Sequence, residues 1–362
     1  MSNAVVVLGA SNTGLSIAAK LALEGHDVVL WEEPSHAAGV ETLRATRQVR
    51  LTGTGGEGTA TLAAITTVPA EALGAGDVLI AAVPSYAHRT FADALLPHLR
   101  PQHVLALLPG NLGTLALHSL RRDAGAAGGA LLAEADTAPY VCRKLAPDHA
   151  HIFGVVPHLG VGALPARETP RALAALEPLF PGLRPYPHVV AAGIGALNPV
   201  VHPPGVLMNA GRIERSHGDF YFYEEGVTPA VVRAIEALDH ERQAIGGALG
   251  FAVTPVAEGF VGAGFGPAGD LWATINGSRM LTAMRAPGAI ATRWLSEDVP
   301  YGLRTWVELG ERFGVALPVA RALVTLADAV LGTDSWRDGR SLADLGLDGL
   351  DRDALDRLLR DG

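Results

Sequence analysis

The sequence predicts an α/β protein: a parallel-sheet N-terminal domain followed by a mostly α-helical C-terminal domain. Three observations carry this. Ala4–Glu33 reads as a buried strand, a glycine-containing turn, a helix and a second strand ending at Glu32. Short apolar runs then recur at Asp77–Pro84 and His103–Gly110, as strands buried on both faces require. After about Pro185 the texture changes to long helical patterns. For 362 residues two domains are natural, and the change of texture puts them at residues 1–185 and 186–362.

Within the first unit, Gly9 allows a tight turn and Gly14 lets the helix pack close to the strand, the arrangement of a Rossmann-type dinucleotide-binding domain. The middle glycine of the usual pattern is replaced by Ser11, whose hydroxyl is expected to donate to a phosphate oxygen. Gly9, Ser11, Asn12, Thr13 and Gly14 are therefore the expected contacts of the cofactor's phosphates. Glu32 falls where an acid hydrogen-bonds the adenosine ribose, and a carboxylate there repels a 2′-phosphate, so NAD is favoured over NADP. Arg44 and Arg47 follow that strand and are the local cations able to receive such a phosphate. Ligands lie outside the carboxyl ends of parallel strands, which adds Val83, Pro84, Pro109 and Gly110 to the expected cofactor contacts. A further strand in "GGALLAE" ends at Glu134, and Val49–Thr67 reads as a short hairpin inserted early in the sheet. In the second half, helices are expected over Val231–Gly250, Tyr301–Phe313 and Pro318–Leu331. Asp239, His240 and Glu241 are adjacent on the first of these and point to different faces, so they read as a solvated or interdomain face and not as metal ligands.

Composition narrows the function. Hydrophobic residues make up 49% and charged residues 18%, the balance of a packed globular protein. The formal net charge is −9 with no basic run, which argues against a nucleic-acid partner. Lys20 and Lys144 are the two lysines among 28 basic residues. Cys142 is the lone cysteine, so no internal disulfide and no cysteine-rich metal site is expected. A strand pattern begins within five residues of Met1 and no apolar run reaches transmembrane length, so a soluble, cytoplasmic protein with no membrane partner is expected.

The stretch "NPVVHPPGVLMNAGRIE" (Asn198–Glu214) places His202 directly before two prolines. Proline is welcome in the first turn of a helix, so His202 is expected at or just before a helix start, held by Pro203 and Pro204. The plain alternative is a helix-entry histidine that satisfies a neighbour. In "TRWLSEDVPYGL" (Thr292–Leu303), Arg293 and Asp298 lie five apart, and Arg293 with Glu297 also makes an ordinary i,i+4 pair. A carboxylate beside a histidine fixes its tautomer for acid–base work, and an arginine binds a carboxylate through two parallel hydrogen bonds.

With these residues in place, the chain resembles the opine dehydrogenase family of the octopine/nopaline type. The likeness spans nearly the whole sequence. It rests on "LGASNTG" (Leu8–Gly14), "TAPYVCR" (Thr137–Arg143), the His202 stretch, "FYFYEEGVTP" (Phe220–Pro229), the Asp298 stretch and "GRSLADLGLDGL" (Gly339–Leu350). The resemblance implies reductive condensation of a 2-oxo acid with the amine of an amino acid, through an imine that NADH reduces. It implies that His202 is the acid/base, Asp298 its paired carboxylate and Arg293 the holder of a substrate carboxylate. It also implies that Glu134 lies near the amino acid and that Asn209 and Asn198 support the His202 helix, with Asn209 counted among the substrate contacts. Family members occur as monomers and homodimers. Two other readings stand beside it. One is a ketopantoate-reductase-like or other two-domain 2-oxo/hydroxy acid dehydrogenase, which uses a lysine in its second domain where this chain has none beyond Lys144. The other is a non-catalytic NAD-binding sensor, which needs neither the histidine–aspartate pair nor the arginine.

Overall fold

The structure is a computed structural model and describes residues 4–125 and 129–362. It divides into two compact units, residues 1–193 with 356–362, and residues 194–355. The expected change at 185 thus falls at 193, and the last seven residues rejoin the first unit.

The first unit contains twelve strands among the described residues. They are β1 (Val5–Leu8), β2 (Val28–Trp31), β3 (Gln48–Gly53), β4 (Gly58–Thr61), β5 (Ala64–Thr66), β6 (Val78–Ala81), β7 (Val104–Leu107), β8 (Leu131–Ala135), β9 (Tyr140–Ala146), β10 (His149–Val155), β11 (Gly160–Leu164) and β12 (Arg184–Pro185). Eight form one sheet in the order β12-β11-β8-β7-β6-β1-β2-β5. Its strands from β8 to β5 run parallel, and β11 joins β8 antiparallel. The order reverses at β1, which lies between β6 and β2, so the loop after β1 opens at the switch point where a doubly wound sheet binds its ligand. β1 and β2 are buried throughout, and Trp31 stands edge-on to Phe91 at 5.0 Å in the core beneath that loop.

Val49–Thr67 does form a hairpin, but not in the main sheet. β3 and β4 belong to a second sheet of order β4-β3-β10-β9, in which β3 pairs parallel with β10 and β9 pairs antiparallel with β10. Only β5, at the end of that stretch, joins the main sheet. The strand expected in "GGALLAE" begins at Leu131 and continues through Glu134 to Ala135. The opening Gly128 of that stretch lies outside the described residues.

The second unit is helical. Its long helix runs Pro229–Ala248, with Pro229 in the first turn, and another runs Pro318–Leu331. The helix expected over Tyr301–Phe313 is regular only from Arg304 to Arg312. The segment before it, Asp298–Leu303, is a wide π turn in which the Arg304 N–H reaches back to Val299 O. Asp239 and Glu241 are structural groups in the fold, not a solvated face. Asp239 is buried and holds Arg242 (2.6 and 2.8 Å), and Glu241 accepts the Val319 and Ala320 amides at the start of Pro318–Leu331.

By length and composition Val189–Leu207 is apolar enough to cross a membrane, contrary to expectation. It is broken into helices Val189–Gly195 and Asn198–Leu207, and 78% of it is buried inside the protein.

Candidate active site

The turn after β1 fits a dinucleotide. Gly9 has φ +94°, and a Cβ there would lie 2.4 Å from Val83 Cγ1. A Cβ on Gly14 would lie 1.9 Å from Gly9 O, so the close approach of helix Asn12–Leu23 to the turn requires glycine. The first intrahelical bond is Leu15 N–H to Ser11 O at 3.0 Å, which leaves the Asn12 and Thr13 amides ahead of the ladder and available to an anion. Ser11 departs from expectation. Its hydroxyl caps this helix by accepting from Gly14 N–H and gives its one proton to Ala82 O, so it has none to offer a phosphate. β2 ends at Trp31, one residue short of expectation, and Glu32 follows it and is buried. Its carboxylate accepts Ala10 N–H (2.8 Å) and Glu33 N–H (2.9 Å), which fixes an anion against the turn. Val83 and Pro84 follow β6, and Pro109 and Gly110 follow β7, in the expected loops. Asn111 Nδ2 donates to Ser85 Oγ (3.1 Å), which joins the two loops. Among the described residues no group of three or more His, Cys, Asp or Glu could hold a metal.

Glu134 is a correction. It is 0% exposed, and its two oxygens accept the amides of Leu112 and Thr114, each at 2.9 Å. The helix Gly113–Asp123 has Leu112 at its N-cap, which offers no side-chain acceptor, and Glu134 supplies one from the neighbouring strand. A buried carboxylate occupied in this way caps a helix and does not meet a substrate.

In the second unit His202 is again not where the prolines suggested. The helix starts at Asn198 with Pro199 in its first turn, so His202 is inside it and Pro203 and Pro204 are interior. Both prolines lack an N–H, so the Pro199 and Val200 carbonyls receive no i+4 amide. Burial of Val200, Val201 and Val206 holds this disfavoured backbone in helix. A full turn from the helix start, His202 owes little to the helix dipole.

The partner is as expected. His202 Nδ1 lies 2.7 Å from Asp298 Oδ2, with side chains 13% and 6% exposed. Trp294 stacks flat on the imidazole at 4.5 Å and 10°, and Phe222 stands edge-on to Trp294 at 4.8 Å. Phe222 reaches this place because position 205 is glycine: a Cβ there would lie 2.6 Å from Phe222 Cζ. Tyr223 is buried beside them. Desolvation, and then the charge of Asp298, push its hydroxyl well above the usual phenol range, so it stays neutral. The Asp298 turn is latched by the tail motif, where Arg340 N–H donates to Pro300 O (3.0 Å). Trp294, Phe222, Tyr223 and Arg340 all fall in stretches the sequence singled out without giving these residues a role.

Arg293 opens the short helix Arg293–Ser296. Its Nε lies 3.6 Å from Glu297 Oε2, and its side chain is 49% exposed. Asn209 is a second correction. Both hydrogens of its amide go to backbone carbonyls, Gly205 O and Gly226 O, each at 2.9 Å, so it ties the helix end to the Phe222 turn.

Residues 185–331 match the family model of the NAD/NADP octopine/nopaline dehydrogenase alpha-helical domain, and residues 5–127 match that of ketopantoate reductase PanE/ApbA. An opine dehydrogenase of Arthrobacter sp. (strain 1C) is 29% identical over 96% of each chain. A vitopine synthase of Allorhizobium ampelinum is 27% identical over 95% of this chain and 96% of its own. The fold is that of octopine dehydrogenase solved with NADH and agmatine. That likeness has a TM-score of 0.78 at 19% identity and covers 99% of this chain and 98% of the other. Yersinopine dehydrogenase with NADP+ bound gives 0.72 at 19% identity, with the same coverage. Residues 185–331 thus carry an octopine/nopaline dehydrogenase alpha-helical domain, the chain is similar along nearly its whole length to opine dehydrogenases, and it is an NAD(P)-dependent oxidoreductase.

Proposed function

We propose that the protein condenses a 2-oxo acid with the amine of an amino acid and reduces the resulting imine, running in reverse as an oxidative cleavage. The observation that carries this is the His202–Asp298 pair, 2.7 Å apart in a nearly dry aromatic setting. A carboxylate can only accept, so Nδ1 carries the hydrogen and Nε2 is the pole left for the substrate. Asp298 holds that tautomer, and His202 moves a proton at the condensing carbon and nitrogen. Arg293, half-exposed at the mouth of its helix, binds a substrate carboxylate as a bidentate donor. When bound, the nicotinamide cofactor supplies the hydride. The residues that hold it are Gly9, Gly14, the amides of Asn12 and Thr13, Glu32 and the Val83–Pro84 and Pro109–Gly110 loops. NADH is preferred to NADPH, because Glu32 sets a negative charge against the turn and Arg47 is engaged with Ala63 O at 3.0 Å.

The test is a matrix of amino acids against 2-oxo acids, followed by loss of NADH absorbance. Oxidation that requires both substrates supports the proposal. Oxidation with the oxo acid alone points to a simple dehydrogenase, and binding without turnover points to a sensor. A higher kcat/KM with NADPH overturns the cofactor assignment.

A further inference from the structure

Strand β9, which the Thr137–Arg143 motif opens, lies along the dinucleotide turn. Lys144 N–H donates to Asn12 Oδ1 (2.9 Å) and its Nζ donates to Ala10 O (2.9 Å). Cys142 Sγ lies 3.4 Å from Asn12 O and 3.9 Å from Thr13 Oγ1. One strand thus contacts three residues of the turn. Ala10 is held from two sides, its N–H by the Glu32 carboxylate and its carbonyl by the Lys144 ammonium.

The charges at this turn are unbalanced for an anionic ligand. Glu32 is fixed against it, Glu33 follows, and the Ser11 hydroxyl gives its proton to Ala82 O. Helix amides alone would face a diphosphate next to a buried carboxylate. Lys144 brings a cation to the turn. An ammonium has three N–H donors, and Ala10 O takes one. Lys20, the other lysine of this arginine-rich chain, pairs with Glu24 on the surface. A compact point charge suits a site that must keep one bond to a carbonyl while giving another to a phosphate. The wide planar fork of arginine does not.

We infer that Lys144 binds the diphosphate of the dinucleotide, keeping one N–H on Ala10 O and giving another to a diphosphate oxygen, so that β9 is a wall of the cofactor site. This rests on the reading of the turn as the dinucleotide site. The direction of β9 favours the diphosphate over the ribose end. From Cys142 to Lys144 the strand follows Thr13, Asn12 and Ala10, and the amides of Asn12 and Thr13 are those that open the helix.

The test measures binding. NADH and NADPH affinities are followed by nicotinamide fluorescence, and ADP and adenosine affinities by calorimetry, for the full chain and for Lys144→Met and Lys144→Gln. Both variants are expected to bind NADH and ADP about tenfold to a hundredfold more weakly, as loss of a charge-assisted bond implies, and adenosine unchanged. Glutamine can keep the bond to Ala10 O without the charge. Wild-type affinity in Lys144→Gln would reduce Lys144 to a latch on the turn and overturn the inference. An equal loss for adenosine does the same. A loss confined to NADPH moves the cation to the 2′-phosphate and also overturns it. A wild-type protein that binds no NADH fails at the earlier reading instead, which keeps the two failures distinct.

Discussion

Replacing Asp298 by asparagine changes one atom's identity and removes one charge in a place the structure defines closely. The carboxylate accepts from His202 Nδ1 at 2.7 Å, and its side chain is 6% exposed. Asparagine can present either end of its amide. With its oxygen toward the ring, the tautomer survives but the charge-assisted bond is lost, at about 1.5–3 kcal/mol. That alone is roughly tenfold to a hundredfold in rate, since 1.4 kcal/mol is tenfold. With its NH2 toward the ring, Nδ1 must accept. The hydrogen then moves to Nε2 and the base faces the wrong way, a reversal that costs about 10⁴ in kcat where a triad aspartate is so replaced. Asp298→Asn should therefore lower kcat by about 10²–10⁴. The dissociation constant for NADH should hold, since no residue of the glycine turn is altered. Stopped assays of NADH absorbance at saturating substrates give kcat, and nicotinamide fluorescence gives the affinity. Wild-type kcat with an unchanged pH–rate profile, in a variant whose circular dichroism matches the parent, would refute the pairing as a device of the chemistry.

Three further outcomes follow from other parts of the structure. Arg293→Lys keeps the charge opposite Glu297 but loses the fork, so the KM for the oxo acid should rise and kcat fall, with less effect on the KM for the amino acid. If Arg293 only makes an exposed i,i+4 pair, contributing under about 1 kcal/mol, steady-state kinetics will stay at wild type. Arg242→Met strands a buried carboxylate and three backbone carbonyls, those of Ile194, Gly195 and Thr254. It should lower unfolding free energy in urea by about 3–5 kcal/mol, and a change under 1 kcal/mol would contradict the network. Burial, opposed by hydrogen bonds from Gly160 N–H and the Tyr186 hydroxyl, pushes the Asp136 carboxyl up to about 6. The folded chain therefore keeps a proton that the unfolded chain loses near pH 4. This contribution is whole below pH 4 and is lost as pH rises through 6. Relative to wild type, Asp136→Asn should gain about 2–3 kcal/mol of stability between pH 4 and pH 7, read from urea melts at each pH, and parallel curves would exclude it.

Local signals in the sequence suffice where the structure is local. The strand, turn, helix and strand of residues 4–33 follow from period and glycine placement, and Gly9 and Gly14 are glycine for the reasons their positions suggest. What escaped depends on distant partners. The second sheet joins β3 to β10 across about a hundred residues, as the contacts of Thr52 with His149 and His151 show, and neither strand announces its partner. Glu134 ends an apolar run as a functional acid would, but the uncapped helix that claims it begins at Gly113, in another stretch of chain. His202 shows the opposite error. Its two prolines look like a helix entry because proline rules are local, whereas the buried valines around them keep the helix going. The pairing of His202 with Asp298 was legible through the resemblance, and the aromatic frame of Trp294 and Phe222 was not, because ring stacking leaves no periodic trace.

The wide turn at Asp298–Leu303 makes the site sensitive to a kind of change that substitution scans never sample. A π turn is an ordinary helix with one residue too many, here closed by Arg304 N–H on Val299 O. Deleting a single residue between Asp298 and Arg304 would let the chain relax into a regular helix continuous with Arg304–Arg312. In that helix each residue turns about 100°, so Asp298 would swing by that angle away from the imidazole. His202, Arg293 and Asp298 would all survive by identity, and an alignment would count the site intact. Among relatives of this chain, the length of this segment is thus as much a marker of activity as the residues it carries.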